Sequence, residues 1–221
     1  DACDILVHPT LGQVTIKGDE ARLRHIVETQ NDPILKPDFA PIDMGSTNVD
    51  RFDSVAKAYV SDDLAYVNTI GTLQFFARRM HELGVKPELV SWTVPFTRTI
   101  EAFLEMGLVD EPAYLLFSLT DSGIFGGHPG TIRGLQAHLD FLPRDRNIVW
   151  SASNKIGNLF GPAALASEQG GNIAVGLGDY PYLELGQPTN GAVIREFVRL
   201  ARGFGREPAT PAETRHILGM A

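Results

Sequence analysis

Asp4-Ile5-Leu6-Val7-His8 is a short apolar run, and five more runs of this kind follow along the 221-residue chain. Each is continuously apolar instead of alternating, which is typical of strands that are buried on both faces of a sheet. The predicted strands are residues 4–8, 38–44, 88–92, 113–119, 147–152 and 172–177. Because helical patterns separate them, the sequence predicts a parallel α/β sheet with right-handed crossovers.

Helical periodicity fills the gaps between the predicted strands. The predicted helices are residues 19–29, 55–60, 68–83, 96–106, 131–141 and 159–169. A segment at 191–203 follows the last strand, and a closing helix is predicted within residues 206–221. Thr210 is its predicted N-cap, because Pro211 occupies the first turn and Glu213 stands three residues after the cap.

Two architectures fit alternating strands and helices: an open doubly wound sheet and a TIM-type (β/α)8 barrel. The first turn after a strand lacks the G-x-G-x-x-G pattern of dinucleotide-binding folds. Polar and glycine residues instead follow nearly every strand, as at 45–48, 120–123, 151–155 and 178–179. A barrel collects its chemistry at these carboxyl ends, so one barrel domain over residues 1–221 is predicted.

Six βα units are two fewer than a closed barrel needs. Alone, such a chain would expose two unpaired parallel edges, which is an aggregation hazard. We therefore expect the first two units to come from an upstream segment, a separate chain or a partner protomer, and we expect a homo-oligomer if a second copy supplies them.

Composition excludes several classes of partner. The net charge of −8 argues against a nucleic-acid or anionic-membrane surface. No apolar run approaches the roughly 18 residues of a membrane helix. Cys3 is the single cysteine, so an internal disulfide is impossible and a reducing, cytoplasmic location is predicted.

Four segments carry a resemblance to one family. Residues 8–12 resemble the stretch NPTTG, residues 36–48 resemble RPEMASLNMGSMNF, residues 176–179 resemble GLED, and residues 205–218 resemble GREPATPAEAREIL. The chain as a whole is similar to the β-keto acid cleavage enzyme family, from that family's third strand to its C-terminus.

The resemblance implies a metal-dependent barrel that converts a small β-keto acid and acetyl-CoA into acetoacetate and an acyl-CoA. In the family a divalent metal, usually zinc, is held by an H-x-H after the second strand and a glutamate after the eighth. Such a metal polarises the keto carbonyl while a general base starts the condensation.

The chain departs from that pattern at three places. The H-x-H is absent with the second strand, the metal-binding glutamate is replaced by Gly178, and an arginine that orients the family's aspartate falls on Ala174. The aspartate itself is kept as Asp179, which the resemblance assigns as the catalytic acid or base. Glu184, five residues further on, is a weak candidate for the missing metal ligand.

Thr10, Ser46 and Asn48 are the predicted substrate-binding residues. The resemblance places the hydroxyl residue of the family's fourth strand on Ser46, which Asn48 follows, and the serine of its third strand on Pro9, beside Thr10. Each also has a purely structural interpretation: Ser and Asn cap helices well, and Asp179 fits a loop or cap aspartate. His8 and His128 follow strands and are candidates for the barrel mouth, although packing is the commoner role for single histidines.

Three alternatives stay open at this point. The glycine-rich residues 122–130 suit a backbone cradle for a CoA phosphate. Lys155 would suit a barrel aldolase that works through a Schiff base. Gly178 and Ala174 favour a barrel that has lost the chemistry and binds a small acidic ligand or a partner subunit.

Overall fold

A five-stranded parallel sheet forms the centre of the computed structural model, which describes residues 4–12 and 15–220. Its strands are β1 (Phe39–Asp43), β6 (Lys86–Ser91), β7 (Ala113–Thr120), β8 (Ile148–Lys155) and β9 (Asn172–Ile173). They are hydrogen-bonded to one another in that order. The parallel α/β organisation predicted from the sequence is confirmed. Cys3 lies outside the described residues.

Helices follow the strands as the sequence indicated. They are α1 (Asp19–Thr29), α2 (Ile70–Leu83), α3 (Val94–Glu105), α4 (Ile132–Asp140), α5 (Phe160–Glu168), α6 (Asn190–Gly203) and α7 (Pro211–Ile217). The bounds of α1 agree with the prediction. The predicted N-cap of α7 is confirmed, because Thr210 and Glu213 form a reciprocal capping box. None of the helices that the structure describes is both long enough and apolar enough to span a bilayer.

The core lies between the sheet and its helices. Leu115, Phe117 and Leu119 alternate along β7 and are fully buried on the helix side. His138 of α4 stacks on Phe117, with 4.8 Å between the ring centroids, and its Nδ1 lies 3.1 Å from Thr97 Oγ1. Tyr114 and Leu116 lie on the opposite face of β7, because side chains alternate along a strand.

Two predicted strands differ from the structure. The predicted strand at residues 4–8 is wrong, because these residues form no ladder. The Val7 carbonyl accepts bonds from the amides of Asp38 (3.0 Å) and Phe39 (3.4 Å), so this segment only borders β1. β9 stops at Ile173 instead of residue 177. Its pairing ends with the bond from the Ala174 amide to the Ala152 carbonyl, and a turn at 177–179 follows.

The predicted helix at residues 55–60 is wrong. The segment lies in an arm, residues 46–67, that contains two small antiparallel pairs: β2 (Thr47–Asn48) with β5 (Ala65–Tyr66), and β3 (Phe52–Asp53) with β4 (Ala58–Tyr59). Asp53 explains the turn between β3 and β4, because its carboxylate accepts bonds from the amides of Val55 (2.8 Å) and Ala56 (3.1 Å). Such Asx turns compete with helix formation.

The arm docks on the glycine-rich residues 122–130, the glycine loop, mainly through backbone atoms. The Phe52 amide donates to the Gly123 carbonyl (2.8 Å), and Thr47 Oγ1 donates to the Gly126 carbonyl (2.9 Å). A Cβ on Gly123 would overlap the carbonyl oxygen of Phe52, and one on Gly126 would overlap that of Asn48. Glycine is therefore needed at both positions for the arm to approach.

Candidate functional site at the carboxyl edge of the sheet

Polar side chains gather at the carboxyl ends of the strands. Asp43 ends β1, Trp92 follows β6 directly, Lys155 ends β8, and Asp179 lies in the turn after β9. Carboxyl ends of neighbouring parallel strands share one edge of the sheet, and in barrels this edge holds the active site. These four residues define the candidate site.

Asp43 is held by two donors. Its Oδ2 accepts a 2.5 Å bond from the Tyr66 hydroxyl of the arm, and its Oδ1 accepts a 2.7 Å bond from Trp92 Nε1. The residue keeps some surface exposure while its carboxyl group is enclosed. Burial raises the pKa of Asp43 above its ordinary value, although both donors and the charge of Lys155 oppose that change. Burial and the Asp43 charge likewise raise the pKa of Tyr66.

A buried hydrogen-bond network holds the main chain of Asp43. Asn68 Nδ2 donates to the Asp43 carbonyl (2.8 Å), and Asn68 Oδ1 accepts from the Arg22 guanidinium (2.9 Å). Arg22 also lies over the Phe76 ring, 4.6 Å from its centroid. Ser46 Oγ donates to the Asn68 carbonyl (3.0 Å) and accepts from the Asn68 amide (2.9 Å). The start of the arm is thereby fixed to α1 and α2.

Asp179 is the more accessible carboxylate of the site. Its Oδ1 lies 3.6 Å from Lys155 Nζ, and the two side chains are 37% and 47% exposed. The Asp179 carbonyl accepts from the Ile156 amide (2.9 Å), and its amide donates to the Gly176 carbonyl (3.2 Å). The backbone bonds set the position of the turn, and the ion pair directs the carboxylate towards β8.

The other predicted site residues are dispersed. Thr10 is exposed just after the segment that borders β1, and Asn48 is exposed in β2 of the arm. The hydroxyl of Ser46 is engaged by the Asn68 backbone. Glu184 lies in a short 3-10 helix, Leu183–Leu185, where it accepts a hydrogen bond from Asn158 Nδ2. The structure therefore joins Asp179 to Lys155, and directs the hydrogen bonds of Ser46 and Glu184 to other partners.

The donor set does not fit the zinc centre that the resemblance implied. Over residues 4–12 and 15–220, no group of three or more His, Cys, Asp or Glu side chains is arranged to hold a metal ion. Gly178 offers no side-chain donor at the position of the family's glutamate. His8 pairs with buried Glu88 (3.2 Å), and His128 Nε2 accepts from the Val94 amide (3.1 Å).

The glycine loop is also not an open phosphate cradle at three of its amides. The amide of Ile124 donates to the Asp121 carbonyl (3.2 Å), and that of His128 donates to the Trp92 carbonyl (2.8 Å). The Gly130 amide donates to Asp121 Oδ1 (3.3 Å). These donors are already used within the protein, which leaves arm docking as the observed role of the loop.

Sequence reasoning missed Asp43 and Tyr66 as parts of the site. One signal was available: Asp43 is the only charged residue of the β1 stretch Phe39–Asp43, at the carboxyl end of an otherwise uncharged strand. Its partner Tyr66 carried no signal, since it comes from the arm whose course the sequence did not reveal.

Comparison with known sequences decides the family. The profile of the family described as beta-keto acid cleavage enzyme matches residues 1–220. The chain belongs to this family. It is 31% identical over 224 residues to the 3-keto-5-aminohexanoate cleavage enzyme of Acetoanaerobium sticklandii, a match that covers 100% of this chain and 74% of that protein. It is 27% identical over 202 residues to the 3-dehydrocarnitine:acetyl-CoA trimethylamine transferase of Rhizobium meliloti, covering 91% and 60%.

Solved structures confirm the fold of this family member. The apo structure of ObcA matches with a TM-score of 0.64 and 13% sequence identity, over 97% of this chain and 51% of that one. The chain thus spans about half the length of this solved protein. The fold class predicted from the sequence, an α/β fold of the TIM-barrel type, is confirmed.

Proposed function

We propose that this family member, completed to a barrel, converts a small β-keto acid and acetyl-CoA into acetoacetate and an acyl-CoA. The observation that carries the proposal is Asp179: its carboxylate is accessible at the carboxyl edge and pairs with Lys155, while its main-chain carbonyl accepts a bond from the Ile156 amide. Membership of the family and the acetyl-CoA transferase named among its relatives support the same reaction class.

The reaction exchanges one carbon–carbon bond for another. The bond between C2 and the keto carbonyl carbon of the acid breaks, and C2 bonds to the acetyl carbonyl carbon of acetyl-CoA. The CoA sulfur ends on the released acyl group, so atoms and electrons balance without an oxidant. Asp179 is the proposed base that accepts a proton from C2, which is acidified by its two flanking carbonyl groups, and later returns it.

Exposed polar residues around the edge complete the proposal. Thr10 and Asn48 are proposed to bind the carboxylate or carbonyl of the substrate. Ser46 is given a supporting part, because its hydroxyl holds Asn68, which in turn bonds the Asp43 carbonyl. A catalytic metal would need ligands beyond the donor set of the described residues, so no step is assigned to one.

The test is acetoacetate formation from acetyl-CoA and a panel of β-keto acids, with the full-length protein. General acid–base catalysis contributes on the order of 10² to 10⁴ in rate, so we expect Asp179→Asn to lower kcat by at least about 10²-fold. Asp145→Asn is the matched control, since Asp145 is exposed in the turn before β8, at the opposite edge of the sheet. Equal rates for Asp179→Asn and wild type would refute the role of Asp179.

A binding role without turnover is the second candidate. Gly178 favours it, because no side chain replaces the family's glutamate there. This candidate predicts a rise in melting temperature with acetyl-CoA or a keto acid, since a ligand that binds only the native state stabilises it, and no acetoacetate. Zinc near one ion per chain in the purified protein would count against it. The Schiff-base alternative is disfavoured, because the exposed Lys155 lacks the desolvated pocket that such lysines use.

A further inference from the structure

We infer that Lys155 is the positioning residue of the site: its ammonium group pairs with the carboxylate of Asp179 and sets the orientation in which Asp179 meets substrate. This inference rests on the proposed function and adds a residue to which neither the sequence nor the comparisons assign that role. It is carried by the register of β8 and β9 and by the contacts of Asp179.

The register places Lys155 on the same face as the residues that lead to Asp179. Ser151 pairs with Asn172, and side chains two residues apart share a face of a strand. Lys155 and Ala174 therefore both project from the face that carries Ser151 and Asn172. From there Lys155 Nζ reaches to within 3.6 Å of Asp179 Oδ1, while the next residue, Ile156, binds the Asp179 carbonyl through its amide.

Small residues leave space near the ion pair of Lys155 and Asp179. Apart from its two chain neighbours, no described residue has an atom within 4 Å of the point where a Cβ of Gly178 would stand, and Ala174, just after β9, has a short side chain. Without Lys155 the main chain of Asp179 keeps its hydrogen bonds but the carboxylate loses its ion-pair partner, so the side chain is free to rotate. A displacement of about 1 Å at a reacting group can cost on the order of 10²-fold in rate.

The kinetic test uses Lys155→Met, Lys155→Arg and the double variant Lys155→Met/Ala174→Arg, with Lys36→Met as the control on an exposed residue before β1. We expect Lys155→Met to lower kcat by about 10- to 10²-fold with KM changed less than about 3-fold. Lys155→Arg should keep most of the rate. The double variant should recover part of it, because it returns a cation to the same side of the sheet from the residue that follows β9.

An activity-independent readout separates this inference from the proposed function. With 13C-labelled aspartate, the side-chain carboxyl resonance of Asp179 should move in Lys155→Met, return towards its wild-type position in the double variant and stay fixed in Lys36→Met. An unmoved resonance would overturn the inference whatever the enzyme does. A moved resonance in a wild-type protein that forms no acetoacetate would remove the proposed function and leave the pairing intact. Turnover with kcat unchanged in Lys155→Met would overturn the positioning role alone.

Discussion

Removal of the Tyr66 hydroxyl takes away one of the two hydrogen-bond donors of the enclosed Asp43 carboxylate. In Tyr66→Phe, Oδ2 of Asp43 loses its 2.5 Å donor, while Oδ1 keeps the bond from Trp92. A hydrogen bond to a charged group is worth about 1.5–3 kcal/mol, and one between neutral groups about 1 kcal/mol. We therefore expect Tyr66→Phe to lower the free energy of unfolding by about 1.5–3 kcal/mol when Asp43 is ionised.

The effect depends on pH with a definite sign. Burial raises the pKa of Asp43 in the folded protein, so the folded state binds its proton more tightly than the unfolded chain and stability falls as pH rises through that range. Loss of a donor that favours the charged form raises this pKa further. The destabilisation by Tyr66→Phe should therefore be small in acid, where Asp43 is protonated in both states, and grow as pH increases.

Urea unfolding of wild type and variant at a series of pH values measures this difference. Tyr59→Phe is the control, because Tyr59 is another arm tyrosine and is 55% exposed; it should change stability by less than about 0.5 kcal/mol. In an Asp43→Asn background the pH-dependent part of the Tyr66→Phe effect should vanish. A constant destabilisation from acid to neutral pH in the wild-type background would refute the reasoning.

Two further predictions concern the arm and the core. Gly126→Ala should detach the arm, because the added Cβ overlaps the Asn48 carbonyl, and amide hydrogen exchange within residues 46–67 should accelerate; unchanged exchange would contradict the docking described here. Burial lowers the pKa of His138 to about 3, so the unfolded chain binds one proton more than the folded protein between about pH 6.5 and 3. The free energy of unfolding should therefore decrease as the pH is lowered through that range. His138→Gln should make this decrease in stability shallower, by the equivalent of up to one bound proton, in urea unfolding midpoints measured from pH 7 to 4. A pH dependence identical to that of wild type would exclude His138 as the source of the decrease.

The main elements of the fold were readable because local patterns and tertiary structure agree in them. In α1 the helical spacing of apolar residues matches the burial of Leu23 and Ile26. In α7 the capping box lies within the four consecutive residues from Thr210 to Glu213. The arm was not readable, since each of its strands is two residues long and is held mainly by contacts with a loop more than 60 residues away. The apolar residues within 55–60 are spaced as they would be in a helix, which is why the sequence predicts a helix there.

The candidate site was only half visible for the same reason. Asp179 was found because the resemblance marks its position, yet its partner Lys155 comes from another strand and emerges only from the register of β8 and β9. Asp43 was hidden inside a strand pattern that predicts packing. The glycine loop suggested phosphate binding, because a sequence shows that a backbone approach is needed and does not show what approaches.

Backbone docking separates what holds the arm from what the arm displays. Gly123 and Gly126 accept the main chain of the arm, whereas Val55, which is 93% exposed, and Val60 at 60% contribute little to the attachment. Exposed arm positions can therefore change identity at small cost to the scaffold. A library that randomises them while keeping the two glycines would sample many surfaces beside one unchanged set of strand ends, which makes the arm a natural place to redirect specificity in the laboratory.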